Sequence, residues 1–301
     1  MRRPNYLTGP RRSVLLAASL ASLAAASPAM SYAQTRPRAE AARTARQSAP
    51  IDLTGYWTAV ITEDWAQRML NPTKGDFGGG PPGAVQTPGR VAMGLGPDPA
   101  DEGNIPYEAA GSRAALKWDP ATGDRCLAYG APGILRQATR LRITWADDNA
   151  LKLETDLGAG TRLLHFPATS RPGQMNYVGG RFVPPKTLTP SEVPAGFVPN
   201  PMGYSLASWA TFGGTNYARG GYLKVETTHL TPGYYWTNGM PYTGGAQLTE
   251  HFRTMQLPDG STWILLSLTV EDPEYLTQPF VVDYHFKKLP NGSSWNPQPC
   301  S

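Results

Sequence analysis

Residues 246–255 read AQLTEHFRTM. Successive side chains of a strand point to opposite faces. Leu248, Glu250 and Phe252 therefore share one face, and Gln247, Thr249, His251 and Arg253 share the other. The first set is apolar except for its carboxylate; the second is polar. This alternation predicts a half-buried strand with Glu250 turned inward and His251 turned to solvent. A carboxylate on a buried face needs a cation, a metal or a raised pKa to sit there.

The same texture extends in both directions. TRLRITWA (139–146), ALKLETD (150–156), TRLLHF (161–166), YSLASWATF (204–212), GYLKVETTHL (221–230), STWILLSLTV (261–270) and FVVDYHFKK (280–288) are short runs rich in β-branched and aromatic residues. Turn signals divide them, the signature of an antiparallel sheet that closes on itself. With a first strand at 55–62 there are about nine, enough to enclose an interior. LKLET (151–155) and LKVET (223–227) form a weak repeat in which Leu, Leu/Val and Thr share a face and Lys and Glu the other. The strongest helical stretch is YEAAGSRAALKW (107–118). Residues 71–99 are Gly/Pro-rich without a period and read as a long loop, and a Pro-rich insertion spans 167–202. The expected fold class is all-β: an antiparallel barrel with long loop insertions and little helix.

Gly55-Tyr56-Trp57, at the start of the first strand, resembles the Gly-x-Trp motif that opens lipocalins and related calycin barrels. That resemblance implies a Trp plugging one end of the barrel, with a basic residue of the last strand against it; Lys287 or Lys288 stands in that place. The chain is longer than a typical lipocalin. The whole domain, including EDPEYLTQPF (271–280) and the terminal WNPQPC, is also similar to exported bacterial proteins of unassigned function, a resemblance that implies no activity.

Arg11-Arg12 precede an Ala/Leu-rich run and small residues before Gln34. This reads as a twin-arginine signal peptide over 1–33, hence a periplasmic protein without a membrane anchor after cleavage. Residues 34–50, polar and Ala/Arg-rich, read as a flexible linker, and 51–301 as one barrel domain. Four of the 27 basic residues (Arg2, Arg3, Arg11, Arg12) lie in the signal, and none of the 23 acidic ones does. The net charge of +4 thus belongs to the signal. The remainder is neutral and carries no basic cluster, which argues against nucleic acid as a partner. In an oxidising compartment the two cysteines, Cys126 and Cys300, are expected to form one disulfide.

All four histidines, His165, His229, His251 and His285, fall in expected strands. Parity turns His229 inward with Val225 and Thr227. It supports His165 inward with Leu163, leaves His285 ambiguous and sets His251 outside. His165, His229, Glu250 and His285 together would suit one divalent metal (Zn, Mn, Fe or Cu) as a cofactor. Without metal, Glu250 and His229 would make an acid/base pair for proton transfer. The plainer alternative is satisfied strand histidines and a Glu paired with an Arg. Tyr234, Tyr235 and Trp236 in a Gly-hinged loop, with Tyr129 and Arg136 of CLAYGAPGILRQ, are candidates for binding a small ring-bearing substrate. No phosphate-binding loop, nucleophile elbow or dinucleotide fingerprint is present, so no nucleotide cofactor is expected. The expectation is a lyase, hydratase or isomerase acting on a small apolar or aromatic substrate; the competing class is a carrier of such a ligand.

Overall fold

The computed structural model describes residues 43–63, 74, 105–167, 173–178, 181–183, 193–212 and 220–300. The twin-arginine segment, the first part of the expected linker and the Gly/Pro-rich loop 71–99, apart from Lys74, lie outside them.

Nine strands close into a barrel. They are β1 (Gly55–Ala59), β2 (Arg140–Asp147), β3 (Ala150–Thr155), β4 (Thr161–His165), β5 (Tyr204–Phe212), β6 (Gly221–Thr228), β7 (Gln247–Gln256), β8 (Thr262–Glu271) and β9 (Phe280–Leu289). Each strand neighbours the next in sequence, and β1 pairs with β9 to complete the circle. All these pairs are antiparallel except β4–β5, where Leu164 faces Ser205 and His165 faces Leu206 in parallel. Alternating directions cannot close a ring with an odd number of strands, so one parallel neighbour pair is obligatory. Parallel neighbours cannot be joined by a tight hairpin, and the connection that spans the gap is the Pro-rich insertion. The expected antiparallel barrel is thus confirmed with this one parallel seam. Among the described residues helix is confined to short pieces, chiefly α1 (Ala109–Lys117) and α2 (Ala131–Ile134).

Alternation fills the interior. Leu141 and Ile143 of β2, Leu151 and Leu153 of β3, Leu223 and Val225 of β6, and Ile264, Leu266, Leu268 and Val270 of β8 are all buried. Two apolar clusters result. One holds Trp57, Leu153, Trp209, Phe252 and Phe286; the other holds Tyr235, Trp236, Tyr242, Leu248, Val270 and Phe280. On β7, Leu248 belongs to the second and Phe252 to the first, so the clusters occupy opposite ends of the barrel with Glu250 between them.

Trp57 is fully buried, and its indole N–H donates to the Leu53 carbonyl at 3.0 Å. Lys288, its cross-strand partner on β9, places its ammonium 5.2 Å from the Trp57 ring. Residues 43–50, part of the expected linker, lie against the barrel. Ala45 is buried, its N–H donates to Asn149 Oδ1 at 2.9 Å, and its carbonyl accepts from Trp209 Nε1 at 2.8 Å. The anchors of this segment are backbone groups and one small side chain. Cys126 and Cys300 form a disulfide with Cα atoms 5.7 Å apart, tying the C-terminus to the 3-10 turn Arg125–Tyr129.

Candidate functional site

Glu250 points into the barrel and is fully buried, as its parity implies. Among the protein's own groups its partner is Arg162 of β4, and no histidine reaches it. Arg162 Nη1 donates to Glu250 Oε1 at 3.0 Å, and Nη2 donates to Oε2. The same guanidinium donates from Nε to Ser205 Oγ at 2.7 Å and from Nη2 to Thr227 Oγ1 at 2.5 Å. The two hydroxyls lie 2.8 Å apart. One arginine thus crosses the interior from β4 to β7 and engages a polar group on each intervening strand. A bidentate fork of this kind fixes both carboxylate oxygens. Among the sequence alternatives, the Glu–Arg pair is the one assembled.

This pair explains the misassignment on β4. Leu163 and Leu164 lie on opposite faces, so the apolar pattern of TRLLH is ambiguous. The structure buries Arg162 and Leu164 and leaves Leu163 40% exposed. His165 is therefore turned outward, and its ring stacks on Tyr204 at 4.8 Å. His229 lies one residue beyond the end of β6. Its backbone adopts a left-handed φ of 58°, which ends the alternation that would have carried it inward. It meets Phe197 edge-on at 5.9 Å, and Phe197 in turn meets Tyr204. His285 lies on the outer face of β9, since Tyr284 and Phe286 take the inner one. The metal set His165, His229, Glu250 and His285 is consequently not brought together: three members lie outside the wall and one inside. Among the described residues no group of three or more metal-ligating side chains converges. The Glu250–His229 acid/base pair is not assembled either.

His251 and His285 share a groove of about 520 Å³ on the outer wall, floored by Leu265 and Ser267 of β8. His251 meets Tyr222 edge-on at 5.4 Å. Burial pushes its pKa down, Lys224 and Arg253 push it further, and Glu226 opposes them. His165 is also lowered by burial, opposed by Asp147.

The ring-bearing candidates divide. Arg136, fully buried, has its guanidinium carbon 4.2 Å from the Trp236 ring, 4.9 Å from Phe280, and 5.8 Å from both Tyr235 and Tyr284. Each such contact is favourable where water is excluded. Tyr235 also packs on Tyr242 at 5.4 Å. The structure thus unites Arg136, Tyr235 and Trp236 in an aromatic box at the end of the barrel opposite Trp57. Tyr234 is only half-buried, beside the box in a two-residue strand. Tyr129 packs on Gly158 near the disulfide. Neither belongs to the box. Gly133 of α2 lets the chain lead Arg136 into place: a Cβ there would lie 2.3 Å from the Ala128 carbonyl oxygen and 2.5 Å from that of Tyr234.

Sequence reading misses Phe280 and Tyr284 as walls of the box, because their alternation in FVVDYHFKK marks only a buried strand face. It also misses Tyr107, whose hydroxyl donates to the Pro241 carbonyl at 2.8 Å. Burial raises the hydroxyls of Tyr107 and Tyr235 well above the ordinary tyrosine value, and Tyr242 above it as well; Arg136 pulls the first two back down. All three are neutral donors at physiological pH. The hydroxyls of Tyr235 and Tyr242 and the Trp236 Nε1 are buried and meet no hydrogen-bond partner among the described residues. A buried donor left unmatched costs about 1–3 kcal/mol.

Compared with protein-family models, curated proteins and solved structures, the chain matches none.

Proposed function

We propose that this chain is an exported barrel that binds a small ring-bearing ligand at the aromatic box, and that it works as a binding or carrier protein. One observation carries the reading: three buried donors, Tyr235 OH, Tyr242 OH and Trp236 Nε1, lack partners among the described residues and lie in one aromatic cluster. Native interiors leave few such groups, and each calls for an explanation. A ligand with hydrogen-bond acceptors on an apolar or aromatic ring would satisfy the donors and fill the cluster. The twin-arginine motif supports a periplasmic setting for this role.

The lyase or isomerase reading has less support. It needs a proton-transfer group inside the barrel placed towards a substrate, and the Glu250 carboxylate is instead engaged at both oxygens by Arg162. The histidines expected to help it lie outside.

The test is a thermal-shift panel of phenols, quinones and aromatic carboxylates on the purified protein. A binder present at about a hundred times its Kd stabilises the fold by about 2.7 kcal/mol. Tyr235→Phe should keep the fold and lose the ligand-induced shift. A panel in which no ring compound raises Tm, or a shift that survives in Tyr235→Phe, would sink the reading. Turnover of any hit that disappears in Glu250→Gln would restore the enzyme.

A further inference from the structure

The end of the barrel closed by Trp57 carries a cleft unrelated to the aromatic box. Residues 43–54 lie across the rim, held by Arg46 N–H to the Asp148 carbonyl at 3.0 Å and by the two bonds of Ala45. Between this strap and the barrel is a cleft of about 460 Å³. Ala49 and Ile51 line it from the strap, and Trp145, Leu151 and Trp209 from the barrel. Small-molecule sites have volumes of this order and walls of this kind, with a few polar groups that fix orientation.

Three features give the occupant its chemistry. The barrel wall is aromatic: Trp145 lies 6.4 Å from Trp209 between ring centroids, and Phe166 backs both at 5.8 and 5.3 Å. Behind Trp145 the β2–β3 register shifts between Trp145 and Asp147, so the ring stands at a break in the ladder and is only half-buried. At the mouth, the exposed Arg46 side chain makes no hydrogen bond or ion pair among the described residues. The nearby carboxylate of Asp52 is drawn into its own turn, its Oδ1 accepting from Thr54 N–H at 2.8 Å and Thr54 O–H at 2.7 Å.

We propose that this cleft is a second ligand site, one that takes a flat aromatic ring carrying an anionic group. The ring lies against Trp145 and Trp209, and the anion meets Arg46. The aromatic box is at the other end of the barrel, so this site stands or falls independently of the function proposed above.

Two dyes of one skeleton test it: anilinonaphthalene sulfonate and phenylnaphthylamine, which differs by lacking the sulfonate. Titrated into the purified protein, the sulfonate should bind saturably, one per chain, and quench tryptophan emission. Trp145→Ala should abolish that binding. Arg46→Ala, at an exposed position where the fold is not at risk, should weaken the sulfonate by about tenfold and leave phenylnaphthylamine unchanged. Tyr235→Phe should change neither dye. The proposal is overturned if the neutral dye binds the unaltered protein as tightly as the sulfonate, or if Arg46→Ala leaves sulfonate affinity unchanged. It is equally overturned if Tyr235→Phe removes the binding, which would place the dye in the aromatic box.

Discussion

The middle of the barrel and its aromatic end are equally buried, and they treat polar groups in opposite ways. At the middle, all three guanidinium nitrogens of Arg162 donate, to Ser205, Thr227 and both oxygens of Glu250. At the end, Tyr235, Tyr242 and Trp236 hold donors that nothing among the described residues accepts from. A satisfied buried network fixes one packing of the strands that share it. A set of unmatched donors leaves free energy that an incoming acceptor can recover. The first region therefore acts on the fold, and the second is where binding is to be sought.

The sharpest way to break this comparison is to remove one member of the central pair. Glu250→Ala leaves Arg162 charged and buried, and should destabilise the protein by about 3–5 kcal/mol in urea unfolding. The double variant Arg162→Met/Glu250→Leu replaces both charges with apolar volume and should recover most of that loss. If Glu250→Ala costs under about 1 kcal/mol, the central row is not the structural element described above.

Next in size is the disulfide. Cys126 precedes the turn that leads through Gly133 to Arg136, and Cys300 is 174 residues away in sequence. Replacing both with Ser should cost about 2–4 kcal/mol through the loop that reopens in the unfolded chain. Protection from hydrogen exchange should fall first at 125–136, on the side of the aromatic box. A loss spread evenly over the barrel would show that this segment is held by packing alone.

The box itself should respond with the opposite sign. Tyr235→Phe deletes a buried hydroxyl without a partner and keeps the ring contacts with Tyr242 and Phe280. In ligand-free protein the change should stabilise by about 1 kcal/mol in urea unfolding, since the desolvation penalty disappears with the group. A destabilisation of that size would mean the hydroxyl is matched in solution.

These contrasts bear on what could be read from the sequence. The nine strands were legible because each is a short β-branched run between turn signals, and β5, for instance, spans 204–212 as expected. Glu250 was legible because Leu248 and Phe252 flank it at the same parity. Parity failed where its premises did. In TRLLH adjacent leucines left the faces undecided, and a partner 88 residues away, Glu250, decided them. His229 sits where a left-handed residue ends the strand, which no alternation rule can foresee. The aromatic box draws on the loop 229–245, the α2 segment and β9, so its assembly is a property of closure and has no local sequence signal.

The smallest expected effect tests the outside of the same wall. His251 is held below its ordinary value of 6.5, first by burial and then by Lys224 and Arg253, with Glu226 opposing. The folded chain therefore takes up a proton on His251 at lower pH than the unfolded chain does. Between those two values the unfolded state binds more protons, so stability increases with pH there. The contribution is complete above about pH 6.5 and is lost as pH falls towards the folded value. His165, lowered by burial against the pull of Asp147, adds a second contribution of the same sign. Unfolding free energy measured across this range should slope upward in the unaltered protein and flatten in His251→Gln/His165→Gln. Carboxylates elsewhere titrate equally in both proteins, so the difference between the two curves isolates the imidazoles. A difference of opposite sign would mean that Glu226 and Asp147 outweigh burial, making these histidines cationic partners of the outer wall rather than neutral members of its aromatic contacts.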